Sequence, residues 1–148
     1  MLNPAFAALR ASDFEVVQLG WRGGGGNGGG FHALPQCRLV DTRNPAGELG
    51  GPALVGNRSR DFGAAGRCGV PAGARALAAD VSTLQARKGG ALRLFASGAA
   101  PASGASLAFR APRSRFDGVR VPLSAAGAFA ARASRGVHLV VDVVGYYD

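Results

Sequence analysis

An all-β fold of about eight short strands, a sandwich or a barrel, is the class this sequence predicts. Three observations point to it. Helical periodicity is almost absent over the 148 residues. Short runs of alternating apolar and polar residues recur instead, each bounded by Gly, Pro, Asn or Ser. These runs follow one another at a spacing of roughly 10–15 residues, which leaves room for turns but not for crossover helices.

The strands are read in chain order. "CRLVDT" (37–42) alternates Cys37, Leu39 and Asp41 with Arg38, Val40 and Thr42. The stretch that follows, "RNPAGELGGPALVGNRS", is rich in turn residues and reads as loop. "RDFGA" (60–64) is a short strand. "ARALAADVST" (74–83) sets Leu77, Ala79 and Val81 on one face, and "ALRLFAS" (91–97) sets Leu92 and Leu94 on one face with Arg93 and Phe95 on the other. "ASLAFR" (105–110) turns Leu107 and Phe109 inward, and "GVRVPL" (118–123) does the same with Val119, Val121 and Leu123. "AFAARAS" (128–134) is Ala-rich, and its flanking glycines favour a strand over a helix. "GVHLVVDVVGYY" (136–147) is apolar on both faces, the pattern of a central strand. The set predicts a jelly-roll-like or Ig-like sandwich over residues 31–148.

Composition narrows the function classes. The net charge is +8, with 24 Gly and with Lys88 as the single lysine beside the arginines. A basic excess favours polyanions: nucleic acid, acidic polysaccharide, teichoic acid or a membrane surface. The arginines are scattered, and the one local concentration is Arg110, Arg113, Arg115 and Arg120 in "FRAPRSRFDGVR", a candidate polyanion patch. No helix-turn-helix, zinc finger or RNA-binding aromatic motif accompanies it, which weighs against nucleic acid as partner. There is no apolar run near 18 residues, so no membrane span is expected. "MLNPAFAALRAS" lacks the basic start of a complete signal peptide, which leaves the export route open.

Two cysteines, Cys37 and Cys68, are too few for a four-ligand zinc site, and His32 and His138 are not at finger spacing. An even pair in a Gly-rich, loop-rich domain predicts one disulfide, with two buried thiols as the alternative. The bridge would close a loop of about thirty residues, stabilising by roughly 3–4 kcal/mol in the chain-entropy model. It would place the chain outside the cytoplasm.

Four segments carry a resemblance: "CRLVDTR" (37–43), "AGRCGVPAGARALAADVST" (65–83), "GGALRLFASGAAPASGASLAF" (89–109) and "VRVPLSAAGAFAARASRGVHLVVDVVGYY" (119–147). In this order they resemble a domain found in secreted and surface proteins of actinobacteria, myxobacteria and acidobacteria. In that family a strand ending in V-D-T-R opens the domain, a C-G-V/I-P segment follows, and an H-L/V-I/V-V-D-V-x-G-Y-F strand closes it. The resemblance spans Cys37 to Tyr147 and implies an extracellular, non-catalytic β-sandwich. It also supports pairing Cys37 with Cys68. The family's L-N-V-T is "ADVST" here, the last aromatic is Tyr147, and the first 35 residues have no counterpart.

No enzyme is expected. There is no G-x-S-x-G elbow, and "GGGGNGGG" lacks the Lys-Ser/Thr of a phosphate loop and precedes no helix. The carboxylates lie mostly in turns or at strand ends, and no cofactor is implied. Asp142 inside "LVVDVVGYY" needs a partner, because an unpaired buried carboxylate is costly. Arg38 or Arg43 supplies one if the first and last strands are neighbours, giving a structural ion pair. A metal site of Asp41 and Asp142 is the lesser alternative.

The N-terminal residues stand apart. Residues 1–22 form an arm with a strand at 14–21, "FEVVQLGW", and residues 23–30 form a Gly-rich linker. Phe14 and Val16 face one way; Val17, Leu19 and Trp21 face the other. Apolar groups on both faces need cover, from an edge of the same domain or from a neighbouring copy, unless the arm is disordered. The linker spans roughly 15 Å as a coil and about 28 Å at full stretch, more than a hairpin turn needs. Donation from copy to copy would build a filament, tube or surface layer. Two classes of function follow: a self-assembling extracellular structural subunit, or a monomeric module with its arm packed in cis that binds polysaccharide or the cell envelope.

Overall fold

A computed structural model describes residues 30–148. The arm strand at 14–21, with Phe14, Val16, Val17, Leu19 and Trp21, lies outside the described residues, as does all of the linker except Gly30. Eight strands form: β1 (Phe31–Asp41), β2 (Ser59–Gly63), β3 (Ala76–Leu84), β4 (Gly90–Ala96), β5 (Ala105–Phe109), β6 (Arg115–Pro122), β7 (Ala128–Ala133) and β8 (His138–Tyr147). A single 3-10 turn, Pro101–Ser103, joins β4 to β5.

The strands build two four-stranded antiparallel sheets, ordered β1-β8-β3-β6 and β2-β7-β4-β5. That order is a jelly roll, in which consecutive strands alternate between the sheets except β4 and β5, which pair as a hairpin in one sheet. Inward faces supply the core: Leu77, Ala79 and Val81 of β3, Leu92 and Leu94 of β4, Leu107 and Phe109 of β5, Val121 of β6 and Leu139, Val141 and Val143 of β8. Phe62 and Phe129 stack within it, with ring centroids 5.4 Å apart. β8 lies between β1 and β3, which explains why its sequence is apolar on both faces.

β1 departs from the sequence reading in two ways. It starts at Phe31, not Cys37, and pairs Phe31 with Tyr147. Pro35 and a register shift between Ala33 and Cys37 hide this half from the alternation. A second shift, between Arg38 and Val40, breaks the alternation again, so Leu39 and Val40 are both buried in the interior.

A second apolar cluster sits on the opposite side of the first sheet. It is built from Ala76, Ala78 and Tyr147, with Phe31 and Val144 packed against it. Ala76 and Ala78 are each only 2% exposed although they alternate with the inward Leu77 and Ala79. Gly145 belongs to the same surface: a Cβ there would meet the Phe31 ring at 2.6 Å and the His32 carbonyl oxygen at 2.7 Å. The two strands approach too closely for a side chain.

Candidate functional site

Arg38 and Asp142 occupy directly paired positions on β1 and β8. Arg38 donates from Nε to Asp142 Oδ1 at 2.9 Å and from Nη2 to Oδ2 at 3.2 Å. The same guanidinium reaches Asp41 Oδ2 from Nη1 at 3.4 Å. Arg43 does not contact Asp142. It wraps Asp41, donating its backbone N–H to Oδ1 at 3.0 Å, Nε to Oδ1 at 2.9 Å and Nη2 to Oδ2 at 2.8 Å. These bonds, the Arg43 side chain's above all, hold the Asp41 carboxyl down at about 2. Both carboxylates are thus occupied by guanidinium groups, and no cluster of three His, Cys, Asp or Glu suited to a metal exists among the described residues.

Cys37 and Cys68 are bonded, with Cα atoms 5.6 Å apart. The bridge ties β1 to the loop after β2. Cys37↔Val143 and Arg38↔Asp142 are the two paired positions between the two register shifts of β1. A covalent bond and a bidentate ion pair therefore fix the segment of sheet where pairing alone specifies register least.

Of the four arginines concentrated in the sequence, Arg110, Arg113 and Arg115 line one recess with Ala108 and Ser114, and Arg115 lines a second with Arg120. Arg115 bonds Asp117, from Nε to Oδ2 at 2.7 Å, and also reaches the Ala108 carbonyl. Arg120 lays its guanidinium 4.4 Å from the centre of the Tyr147 ring. Arg110 and Arg113 are exposed, and no carboxylate lines the recess that they share with Arg115.

A second basic site is one the sequence does not advertise. Arg87, Lys88 and Arg135 line one recess together with Gln85, His138, Ala53, Gly136 and Val137. The connection from β3 to β4 supplies the first two cations, and the turn from β7 to β8 supplies Arg135. The connection opens on Gln85, whose φ of +58° bends the chain sharply out of β3. Ala86 is buried and anchors it, so its neighbours Arg87 and Lys88 face solvent. On the other wall, Leu54 and Val137 form an antiparallel bridge, and Ser134 exchanges hydrogen bonds with Ala91. His138 Nδ1 is 2.8 Å from Thr42 Oγ1, which accepts the Leu139 N–H at 2.9 Å. The only sequence signal was "RKGG", charged residues between two strands; Arg135 is 47 positions from Lys88 in the chain (135 − 88).

Compared with models of protein families, with curated proteins and with solved structures, the chain matches none. Fold and site by themselves define a disulfide-bridged jelly-roll module with a basic surface. No helix among the described residues is long and apolar enough to cross a membrane.

Proposed function

We propose that this protein is a non-catalytic extracellular structural subunit that assembles with other copies through its N-terminal strand, residues 14–21. The observation that carries this reading is the architecture of the first sheet. Its last strand is β6, to which no further strand is paired among the described residues. β6 has eight residues, the length of "FEVVQLGW". The other edge, β1, is a poor template. Pro35 has no N–H to offer, two register shifts interrupt it, and the Asp41 N–H already donates to the Leu49 carbonyl.

Geometry favours donation between copies. Gly30 is latched to Asp148, whose N–H donates to the Gly30 carbonyl at 3.0 Å. Phe31, Tyr147, Ala76 and Pro122 share one end of the sheet, so the linker leaves from the end where β6 finishes. An arm reaching β6 of its own domain from that end would run parallel to it, whereas every described strand pairing is antiparallel. Reaching it antiparallel would need a span of roughly 32 Å across and along the sheet, beyond the roughly 28 Å of the linker at full stretch. A neighbouring copy meets no such constraint. The disulfide is compatible with an oxidising compartment, and the resemblance to secreted and surface domains supports the same location.

One observation favours a second reading. The outward apolar cluster lies at the end of the sheet where Gly30 is held, within easy reach of the chain's own arm. An arm folded back over it would leave a monomeric surface-binding module. The full chain and residues 30–148, compared by size-exclusion chromatography with light scattering, separate the two. Assembly in trans predicts an oligomeric full chain and a folded, monomeric truncation. A monomeric full chain whose truncation melts earlier leaves the cis module.

A further inference from the structure

We propose that the recess between the 85–89 connection and the 134–137 turn binds the anionic group, carboxylate or sulfate, of an acidic polysaccharide. This goes beyond assembly: it gives the module a ligand at the end of the sandwich where the sheet-crossing connections meet.

Three properties carry the inference. The first is uncompensated charge. Arg87, Lys88 and Arg135 converge on one recess, no carboxylate lines it, and none of the three has an ion-pair partner among the described residues. By contrast Arg38, Arg43, Arg67 and Arg115 each bond a carboxylate. The second is a fixed frame. Thr42 holds His138 through Nδ1 and leaves Nε2 without a partner among the described residues. The Leu54–Val137 bridge and the Ser134–Ala91 bonds hold the backbone that carries Arg135. A held frame loses little entropy on binding.

The third is the chemistry of the lining. The recess, about 530 Å³, has the size of a small-ligand site. Two guanidinium forks and an ammonium suit planar or tetrahedral oxyanions. Gln85 and the imidazole can take sugar hydroxyls. No Phe, Trp or Tyr lines the recess, so nothing there stacks on a nucleobase. That separates an acidic glycan from a nucleic acid.

The test is calorimetric titration of the full-length protein at low ionic strength with three probes. These are a sulfated heparin oligosaccharide, a polygalacturonate oligomer bearing carboxylates only, and neutral dextran. Binding of either acidic probe and not of dextran is expected, and the two acidic arms separate sulfate from carboxylate. The combined variant Arg87→Ala, Lys88→Ala, Arg135→Ala should weaken that binding by roughly ten-fold or more while melting normally. The control pair Arg75→Ala, Arg93→Ala removes exposed charge elsewhere and should leave affinity within about two-fold. Equal losses in both variants would show diffuse charge attraction and overturn the site. Failure of both acidic probes to bind, or tighter binding of single-stranded DNA, would overturn it as well. Should the triple variant melt early, the charge reversal Lys88→Glu at the exposed tip of the connection replaces it, with the same expected loss.

Discussion

Arg38 grips Asp142 with two nitrogens, Nε and Nη2, at the centre of the β1–β8 pair. The arginine side chain is half exposed and the carboxylate nearly buried, with 11% of its side chain accessible. The pair sits between two breaks in register. Its role is therefore to fix how the first strand aligns on the last, not merely to add attraction. A one-residue slip there would turn Leu39 and Val40 away from the core.

Arg38→Met should destabilise the fold by about 1–3 kcal/mol, because it leaves a largely desolvated carboxylate without its main partner. Adding Asp142→Leu should recover most of the loss. Urea unfolding of both variants measures this. A single variant as stable as the parent would mean that the pair is solvated and structurally idle.

The Cys37–Cys68 bridge closes a separation of 31 residues. Reduction, or the double change to alanine, should lower stability by about 3–4 kcal/mol in the chain-entropy model. Intact mass before and after reduction should differ by two hydrogens. Two thiols that alkylate readily in the native, unreduced protein would contradict the bridge.

Asp41 sets an acid limb. Its folded carboxyl titrates at about 2, below the ordinary 3.8, chiefly because Arg43 bonds the charged form. The folded value lies below the unfolded one. The stabilisation is therefore full above roughly pH 4 and is lost as pH falls towards 2. Arg43 and Arg38 are about half exposed, so solvent screening trims the contribution to the order of 1–2 kcal/mol. Melting temperatures between pH 5 and 2 should fall less steeply in Asp41→Asn than in the parent (the assay range is about three pH units). Parallel curves would remove Asp41 from the account.

Arg60 organises the long loop after β1. Its guanidinium donates to the carbonyls of Pro52 at 2.9 Å, Gly47 at 2.8 Å and Gly50 at 2.7 Å, and lies 4.9 Å from the centre of the Phe62 ring. Burial pushes its pKa down from the ordinary arginine value. A lysine side chain has one nitrogen, so it cannot hold the Pro52 carbonyl from the Nη1 position and the Gly47 and Gly50 carbonyls from the Nη2 position at once. Arg60→Lys should cost about 1–3 kcal/mol and speed hydrogen exchange across residues 44–52. Unchanged exchange there would assign the loop's order to its own turns.

Much of the fold was legible because each strand has one apolar face. Leu77, Ala79 and Val81, or Leu107 and Phe109, announce both a strand and its inward side. Alternation failed in β1, where Pro35 and the register shifts interrupt it. There only pairing with β8 reveals that the strand begins at Phe31. Charge was legible as composition, and as a grouping only in the short run that brings Arg110, Arg113 and Arg115 to one recess. Arg115 and Arg120 are neighbours in the chain, yet one is absorbed by Asp117 and the other by Tyr147. Arg87, Lys88 and Arg135 meet only because two connections cross between the sheets at the same end. Side-chain partners and loop convergence are products of tertiary structure, and no local pattern encodes them.

The mass of the full-length chain in solution, followed by sedimentation velocity over a wide concentration range, tests the proposed assembly most directly. The account predicts species that grow with concentration well beyond the 14.9 kDa of one chain. It also predicts that Trp21→Ala shifts the distribution towards the monomer, as removal of an aromatic anchor worth a few kcal/mol would. A single 14.9 kDa species at every concentration, unchanged by Trp21→Ala, would contradict it.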